Sequence, residues 1–239
     1  MNQNMEKTRK RVPEYEGTLR SHMIKVPTCI SECSGIRVFG RRIKSLAFTT
    51  DVAIIRNINA DAIIAVYPFT PQPVIAQAII SVSDVPVFVG VGGGITTGAR
   101  SVRLAVQAEH QGAYGVVLNA PTSNEVIREI KNEVDIPVVI TVVSEHTDIA
   151  GRLAAGADFL NVSGAARTPE IVAEIRRDFP SVPIIATGGP TEESILRTIR
   201  AGANAVTYTP PVTGALFSQI MNRYRESGQE SENLDGETV

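Results

Sequence analysis

A glycine pair followed by a predicted helix is the clearest chemical signal in this sequence. The pair lies in the phrase Ala186-Thr187-Gly188-Gly189, and Thr191 is placed to cap the helix that follows. Adjacent glycines let backbone N–H groups approach an anion closely, and the helix N-terminus adds the positive end of a dipole. The sequence therefore predicts a phosphate site, although the glycines could also serve only a tight turn. The candidate phosphate-binding residues are Thr187, Gly188, Gly189, Thr209 and Gly214, of which the last two follow the next apolar run.

Four side chains at the ends of other apolar runs are candidates for catalysis. Glu145 follows the run at 137–143, and a carboxylate in apolar surroundings can act as a general acid or base. Lys44 is the only lysine in a predicted strand, and an inward-facing lysine could form a Schiff base or bind an anion. Asn119 and Asn161 end two runs at equivalent repeat positions, where amides could hydrogen-bond a carbonyl or an enediolate. Each candidate has a structural alternative: a solvated loop carboxylate, an outward lysine, or amides satisfied within the fold.

Other residues could line a substrate pocket. The cluster Gly90–Gly94 does not match the dinucleotide fingerprint G-x-G-x-x-G, because Ile95 stands where the third glycine would be. Its glycines could let a ligand lie against the backbone, or could form a turn that needs positive φ. The candidate substrate-binding residues are Tyr67, Gly92, Gly93, His146 and Ser163. Cys29 and Cys33 have no second Cys or His pair near them, so no metal site is predicted.

An internal repeat indicates the elements that must position these residues. Short phrases around Pro86, Pro137 and Pro183 recur at intervals of roughly 45–50 residues, and each opens an apolar run. Proline is tolerated at the first residue of a strand. Eight continuous apolar runs alternate with eight stretches of helical periodicity, and such runs are typical of strands covered on both faces. The sequence therefore predicts a single, compact (β/α)8 TIM barrel with short loops, whose chemistry lies at the C-terminal ends of the strands.

Composition separates the two ends of the chain from this core. Residues 1–35 are predicted to form an N-terminal extension, residues 36–225 the barrel, and residues 226–239 a disordered acidic tail. The basic residues Arg37, Arg41 and Arg42 precede the first predicted strand, on the side of a barrel that commonly serves stability or subunit contacts. We therefore expect a homo-oligomer.

Overall composition excludes several classes of protein. The chain has 239 residues, a formal net charge of −2, 43% hydrophobic residues and 20% charged residues. This charge balance gives no reason to expect nucleic acid as a partner. No apolar run reaches the ~18 residues that a membrane span needs. Two cysteines cannot form a disulfide framework, and their number predicts a reduced, cytoplasmic protein.

The phrase PIIATGGPTEESILRTIRAGANAVTY resembles the seventh and eighth units of the phosphate-binding (β/α)8 barrels. That superfamily includes the ribulose-phosphate-binding group, thiamine-phosphate synthases, keto-deoxy-phosphogluconate aldolases and FMN barrels. The resemblance implies that Gly188 and Gly189 hold the phosphate of a substrate or cofactor. The chain is also similar to bacterial barrels loosely labelled as hydrolases. It departs from the aldolases of the superfamily, because its sixth predicted strand, 158–163, has no Schiff-base lysine.

These features predict an enzyme that acts on a small phosphorylated metabolite at the barrel mouth. The expected reaction is of the isomerase, epimerase or lyase type, with proton transfer or C–C bond chemistry. Three alternatives remain at this point: an FMN-binding oxidoreductase, a hydrolase, and a non-catalytic sensor of a phosphorylated metabolite. No cofactor is established by the residues, and FMN is a cofactor that the glycine loops could accept.

Overall fold

The structure is a computed structural model that describes residues 13–15, 17–20 and 22–235, with side chains as far as Glu226 except that of Leu19. Eight parallel strands close into a barrel, with helices between them on the outside, so the predicted (β/α)8 barrel is confirmed. The barrel strands are β3 (Ser45–Phe48), β4 (Ala62–Ala65), β5 (Val87–Gly92), β6 (Gly115–Leu118), β7 (Val138–Val142), β8 (Phe159–Val162), β9 (Ile184–Thr187) and β10 (Ala205–Tyr208). An antiparallel hairpin of β1 (Ile36–Val38) and β2 (Arg41–Ile43) precedes them.

Eight α-helices follow the barrel strands in turn. They are α1 (Val52–Arg56), α2 (Pro73–Val82), α3 (Ala99–His110), α4 (Asn124–Glu133), α5 (Ile149–Ala154), α6 (Thr168–Asp178), α7 (Glu192–Arg200) and α8 (Thr213–Asp235). Short 3-10 helices lie at Thr18–Arg20, Thr28–Glu32 and Ala165–Arg167. Among the described residues, no helix combines the length and the apolar character that crossing a membrane requires.

The sequence repeat has a direct structural cause at the N-terminal ends of the strands. In three of the repeats a polar side chain just before an even-numbered strand accepts a hydrogen bond from the first residue of the preceding strand. Asp61 Oδ2 accepts from the Ser45 N–H at 3.0 Å, and Asp158 Oδ2 accepts from the Val138 N–H at 2.8 Å. Asn204 Oδ1 does the same for the N–H of Ile184, at 2.9 Å. The repeated phrases therefore tie neighbouring strands together at the bottom of the barrel.

Two apolar layers fix which side chains face the barrel interior. The inner layer contains Leu46, Phe88, Val139, Phe159 and Ile185, and it is closed at the bottom by apolar residues of the β1–β2 hairpin. The outer layer joins the other faces of the strands to the helices. Because side chains alternate along a strand, every second residue beyond these positions also points inward. With the bottom closed, the open end of the barrel is the mouth formed by the βα loops.

The wall of the barrel is completed by the start of the chain. Ile30 and Cys33 pack against Ile195 of α7 and Val206 of β10, which is where the eighth helix of a barrel would be expected to lie. The backbone of Ile24 also pairs with that of Ile58. Residues 24–35 thus pack against the barrel although we predicted an extension outside it, and the division of the chain into domains stays a prediction.

Helix α8 is exposed, because the N-terminal segment packs in the place where the eighth helix of a barrel would be expected. From Gly214 to Glu226 no described side chain is fully buried, and Phe217 and Tyr224 expose 65% and 68% of their surface. The helix continues to Asp235, into the segment 226–239 for which we predicted disorder. The side chains of that segment after Glu226 lie outside the described residues, as do most of residues 1–22.

Candidate active site

The floor of the barrel mouth is a layer of neutral polar side chains. Val139 and Phe159 belong to the inner apolar layer, so Thr141 and Asn161, two residues further along each strand, also face inward. The Asn161 Nδ2 donates a hydrogen bond to Thr141 Oγ1 at 3.4 Å, whereas Asn161 Oδ1 is buried and has no partner among the described residues. A buried acceptor without a donor is costly, and it requires a water or ligand donor to satisfy it. The floor is therefore built to receive a hydrogen-bond donor.

Two more hydroxyls lie next to Asn161. Ser163 follows it on the inward side of the chain after β8, and Thr187 is the last residue of the neighbouring β9. The Thr187 hydroxyl donates to Ser163 Oγ at 3.2 Å. The structure therefore brings together Asn161, Ser163 and Thr187, which the sequence placed in three different roles.

A pair of charged side chains lies in the βα loops at this end of the barrel, and one of them, Glu145, also lines a groove beside α5 and α6. Glu145 Oε1 accepts a hydrogen bond from Arg167 Nη1 at 2.5 Å, which joins the loop after β7 to the loop after β8. The Glu145 side chain is 22% exposed and that of Arg167 is 60% exposed. A hydrogen bond from its own backbone N–H, and then the one from Arg167, hold the pKa of Glu145 below its usual value. Glu145 is therefore a carboxylate at neutral pH, and while it is paired with Arg167 it is a weaker base than a free carboxylate.

His146, the neighbour of Glu145, is the most solvated of the predicted site residues. Its Nε2 lies 3.6 Å from Glu145 Oε1, and its side chain is 86% exposed. Because a side chain so exposed keeps most of its hydration, His146 is placed to modulate the charge of Glu145 rather than to hold a ligand.

A cavity of about 160 Å³ opens beside the mouth, between the loops after β4 and β5. Its lining includes Tyr67, Phe69, Gly92, Ile95 and Asn119. The Tyr67 hydroxyl accepts a hydrogen bond from the Gln72 N–H at 2.8 Å, so its own proton remains available to a ligand. Asn119, a predicted catalytic residue, thus lies with the predicted pocket residues Tyr67 and Gly92.

Gly93 does not reach this cavity, although we predicted that it binds substrate. It is buried, its φ is +102°, and a Cβ placed on it would lie 2.4 Å from the backbone nitrogen of Asn119. Gly92 also has a positive φ, of +142°, and its carbonyl accepts from the Asn119 N–H at 2.9 Å. The glycine cluster therefore shapes the mouth by close backbone packing, and Gly93 has a structural role.

The predicted phosphate loop after β9 has a packing explanation for one of its two glycines. A Cβ on Gly188 would lie 2.6 Å from Val206 Cγ1 and 2.8 Å from Ile195 Cγ1, in the core. Gly189 has a φ of +82°, and within the described chain its N–H has no hydrogen-bond partner. A Gly188→Asp variant would therefore test folding and not anion binding. Of the two glycines, Gly189 is the one whose free N–H supports an anion site in this loop.

Both helix N-termini near this loop are already occupied by side chains. At α7, Thr191 and Ser194 form a reciprocal capping box. At α8, the Asp51 carboxylate accepts a hydrogen bond from the Thr213 hydroxyl at 2.5 Å. An anion beside Gly214 would meet this carboxylate at close range, so the start of α8 does not favour phosphate. The roles given to Thr209 and Gly214 remain predictions without structural support.

Comparison with known proteins shows the fold of this chain. No family model matches the sequence, and no curated protein matches it. Its structure is similar to 2,3-dimethylmalate lyase, a member of the PEP mutase/isocitrate lyase superfamily, with a TM-score of 0.62, 13% identity, and coverage of 85% of this chain and 83% of that one. At such low identity the likeness concerns the fold alone.

Two further solved structures widen the range of chemistry found on this fold. Phosphonopyruvate hydrolase in complex with oxalate and Mg²⁺ has a TM-score of 0.58, 14% identity, and coverage of 78% of this chain and 83% of that one. A mandelate oxidase variant with an FMN adduct has a TM-score of 0.58, 19% identity, and coverage of 74% and 68%. These structural neighbours are enzymes, and the resemblance to the ribulose-phosphate-binding group stays a prediction.

The mouth does not fit a metal centre of several acidic ligands. Among the described residues, no group of three or more His, Cys, Asp or Glu side chains is placed to hold a metal ion. The rim presents the Glu145 carboxylate, and that group is bound to Arg167.

Lys44 was predicted as a catalytic residue, and the structure contradicts that role. Strand β3 begins at Ser45, so Lys44 precedes it and lies at the bottom of the barrel, opposite the mouth. Its Nζ donates to the carbonyl of Ser31. The prediction failed because the apolar run did not show where within it the strand begins.

Lys44→Met is therefore expected to leave ligand binding at the mouth unchanged. The variant removes one exposed hydrogen bond to the N-terminal segment, and exposed interactions of this kind contribute about 0–1 kcal/mol. Urea unfolding should show a small loss of stability, while the dissociation constant of any ligand of the mouth should match that of the wild type. A large loss of affinity would show that Lys44 does contribute to ligand binding.

Three residues of the mouth were not predicted from the sequence. They are Arg167, which lies just beyond the sixth apolar run, Thr141 and Asp51. Arg167 could have been found as the one basic residue in the loops that follow the predicted strands. Asp51 could not, because its partner Thr213 is 162 residues away in the chain.

Proposed function

We propose that this protein is an enzyme that binds a small phosphorylated metabolite in the barrel mouth and catalyses proton transfer or C–C bond chemistry of the isomerase, epimerase or lyase type. The observation that carries the proposal is Asn161 Oδ1, a buried acceptor without a donor among the described residues. The preceding βα loop supplies a carboxylate, that of Glu145, in the form that can accept a proton. A binding floor and a base on adjacent βα loops are what proton abstraction from a bound substrate requires.

The residues have distinct roles in this proposal. Asn161 Oδ1 accepts a hydrogen bond from a substrate hydroxyl, and the Ser163 and Thr187 hydroxyls lie beside it. Glu145 takes a proton from the carbon next to a substrate carbonyl, and the electrons of that C–H bond move to the carbonyl oxygen. The amide of Asn119, exposed at the mouth, donates to the enolate oxygen that forms. Return of the proton to a different carbon gives an isomer, and its return to the other face of the same carbon gives an epimer. In the lyase variant Glu145 instead takes the proton of a hydroxyl on the carbon β to the carbonyl: that carbon becomes a second carbonyl, the C–C bond breaks, and its electrons form the enolate.

The cavity between the loops after β4 and β5, of about 160 Å³, suits a small substrate. More open grooves of about 530 Å³ and 370 Å³ adjoin the loop after β7, so volume alone does not separate a small substrate from a flavin. FMN binding and a purely sensory role belong in the same experiment, because both would use the same mouth.

Thermal unfolding against a panel of phosphate esters, inorganic phosphate and FMN tests the proposal. A ligand at 100 times its Kd stabilises the folded state by about 2.7 kcal/mol, which is a rise of roughly 5–10 °C in Tm for a chain of this size. We expect such a shift with at least one phosphate ester. Incubation of that ester with the protein in D₂O should then show deuterium uptake at carbon by NMR.

Asn161→Leu is the matched variant for this experiment. Since Asn161 Oδ1 has no partner among the described residues, an apolar side chain of similar size should leave the stability unchanged or raise it. The same change should remove most of the ligand-induced shift in Tm. Loss of stability with an unchanged ligand shift would show that Asn161 is purely structural, and a ligand that binds without deuterium uptake or turnover would favour a sensor.

A further inference from the structure

The position of the substrate's phosphate can be inferred from the rim, and this inference rests on the proposed function. We propose that Arg167 is the anchor for the substrate phosphate, and that phosphate binding there releases Glu145 from its ion pair so that the carboxylate can act as the base. The anion site is thereby assigned to the loop after β8, not to the glycine loop after β9.

The guanidinium of Arg167 has unused capacity for an anion. It makes one described hydrogen bond, from Nη1 to Glu145 Oε1, and its side chain is 60% exposed. A guanidinium carries five N–H donors in a planar fork that matches two phosphate oxygens. Arg167 therefore lies at the mouth with most of its donors facing solvent.

The loop that carries Arg167 is held in an uncommon conformation. Ala165 has a φ of +52°, which is the left-handed region that non-glycine residues seldom occupy. Two hydrogen bonds hold the loop: the Gly164 N–H donates to Thr168 Oγ1 at 3.0 Å, and Arg197 Nη2 donates to the Ala166 carbonyl at 3.2 Å. Strain of this kind persists where the surrounding structure enforces it, and here it sets the place of the guanidinium at the rim.

The other charges near Arg167 leave it available to a substrate. Glu170 is bound to Arg197 at 3.2 Å, and His146 lies beside Glu145. The helix that starts at Thr168 has no side-chain cap, in contrast to α7, so its positive end also faces the anion. Glu145 is therefore the group that competes with a substrate phosphate for Arg167.

A substrate phosphate is expected to displace the Glu145 carboxylate as the partner of Arg167. The Glu145–Arg167 pair is exposed on the arginine side, and exposed pairs contribute little to stability. A phosphate monoester carries more negative charge than a carboxylate and binds the guanidinium through two oxygens. Once Arg167 is bound to phosphate, the Glu145 carboxylate loses its cationic partner and becomes a stronger base.

Binding of inorganic phosphate and glycerol 3-phosphate, measured by calorimetric titration, separates this inference from its alternatives. Arg167→Gln should weaken the Kd for both probes by at least tenfold. Glu145→Gln should tighten it several-fold, because the competing carboxylate is gone. Glu174→Gln is the matched control, since it removes an exposed carboxylate from the same helix, further from Arg167, and should leave the Kd unchanged. The Tm without ligand confirms that each variant is folded.

The two proposals fail in different ways. Unchanged Kd values in Arg167→Gln, or weaker binding in Glu145→Gln, would overturn the role of Arg167 while the phosphate site itself stood. A wild type that binds other esters of the panel but neither probe would also overturn it. Absence of binding by every ligand of the panel would remove the proposed function as well.

Discussion

Gly93→Ala should lower the free energy of unfolding by about 3 kcal/mol or more. A Cβ at this position would lie 2.4 Å from the backbone nitrogen of Asn119 and 2.7 Å from its carbonyl oxygen. Backbone atoms of a neighbouring strand end cannot move aside as a flexible side chain can. The φ of +102° adds strain, so an overpacking cost of about 1–3 kcal/mol combines with roughly 1–2 kcal/mol of backbone strain. Urea denaturation followed by circular dichroism measures the change.

Two nearby glycines provide controls that separate the cost of overpacking from the cost of backbone strain. Gly94 has open space where a Cβ would lie and no positive φ, so Gly94→Ala should change stability by less than about 0.5 kcal/mol. Gly98 also has open space, but its φ is +58°, so Gly98→Ala should cost about 1–2 kcal/mol from backbone strain alone. Similar losses in all three variants would refute the packing argument for Gly93.

Arg176→Ala should lower the free energy of unfolding by about 2–4 kcal/mol, because it leaves several half-buried acceptors without donors. The guanidinium donates to the carbonyls of Pro180 at 2.7 Å, Val182 at 2.9 Å and Gly202 at 2.9 Å. It also donates to Asn204 Oδ1 at 2.8 Å. The same oxygen accepts a hydrogen bond from the N–H of Ile184, the first residue of β9. Arg176→Lys should recover little of the loss, since an ammonium group cannot reach acceptors arranged around a planar fork.

The adjacent arginine is the control for this variant. Arg177 is exposed and pairs only with Asp178 among the described residues. Arg177→Ala should therefore change the free energy of unfolding by about 0.5 kcal/mol or less. Equal losses at the two positions would mean that general helix propensity in α6, and not the hydrogen bonds of Arg176, determines the result.

The fold was predictable because its determinants repeat along the chain. The prolines before β5, β7 and β9 mark strand starts, and the polar residues Asp61, Asp158 and Asn204 serve one hydrogen-bonding role in three places. A pattern that recurs for a physical reason can be recognised without knowledge of the three-dimensional structure. The N-terminal segment does not take part in the repeat, so its packing against β10 could not be anticipated.

The site was only partly predictable, for reasons that differ between residues. Asn161 and Thr187 end strands, and strand ends of a closed barrel meet at one mouth, so their proximity follows from the fold. The roles of Gly93 and Gly188 could not be decided from the sequence, because glycine serves close packing and ligand approach equally well, and only the surrounding atoms distinguish the two. Arg167 could have been found by its residue type and its loop, but its position at the rim depends on a left-handed alanine, which no pattern in the sequence indicates.

The packing of Ile30 and Cys33 against β10 also bears on which parts of the chain tolerate change. The partners of β10 are β3, β9 and the segment around Ile30, so the last seam of the barrel is covered without α8. Substitutions in the N-terminal segment therefore act on barrel closure directly, whereas the exposed surface of α8 can vary at little cost to the barrel.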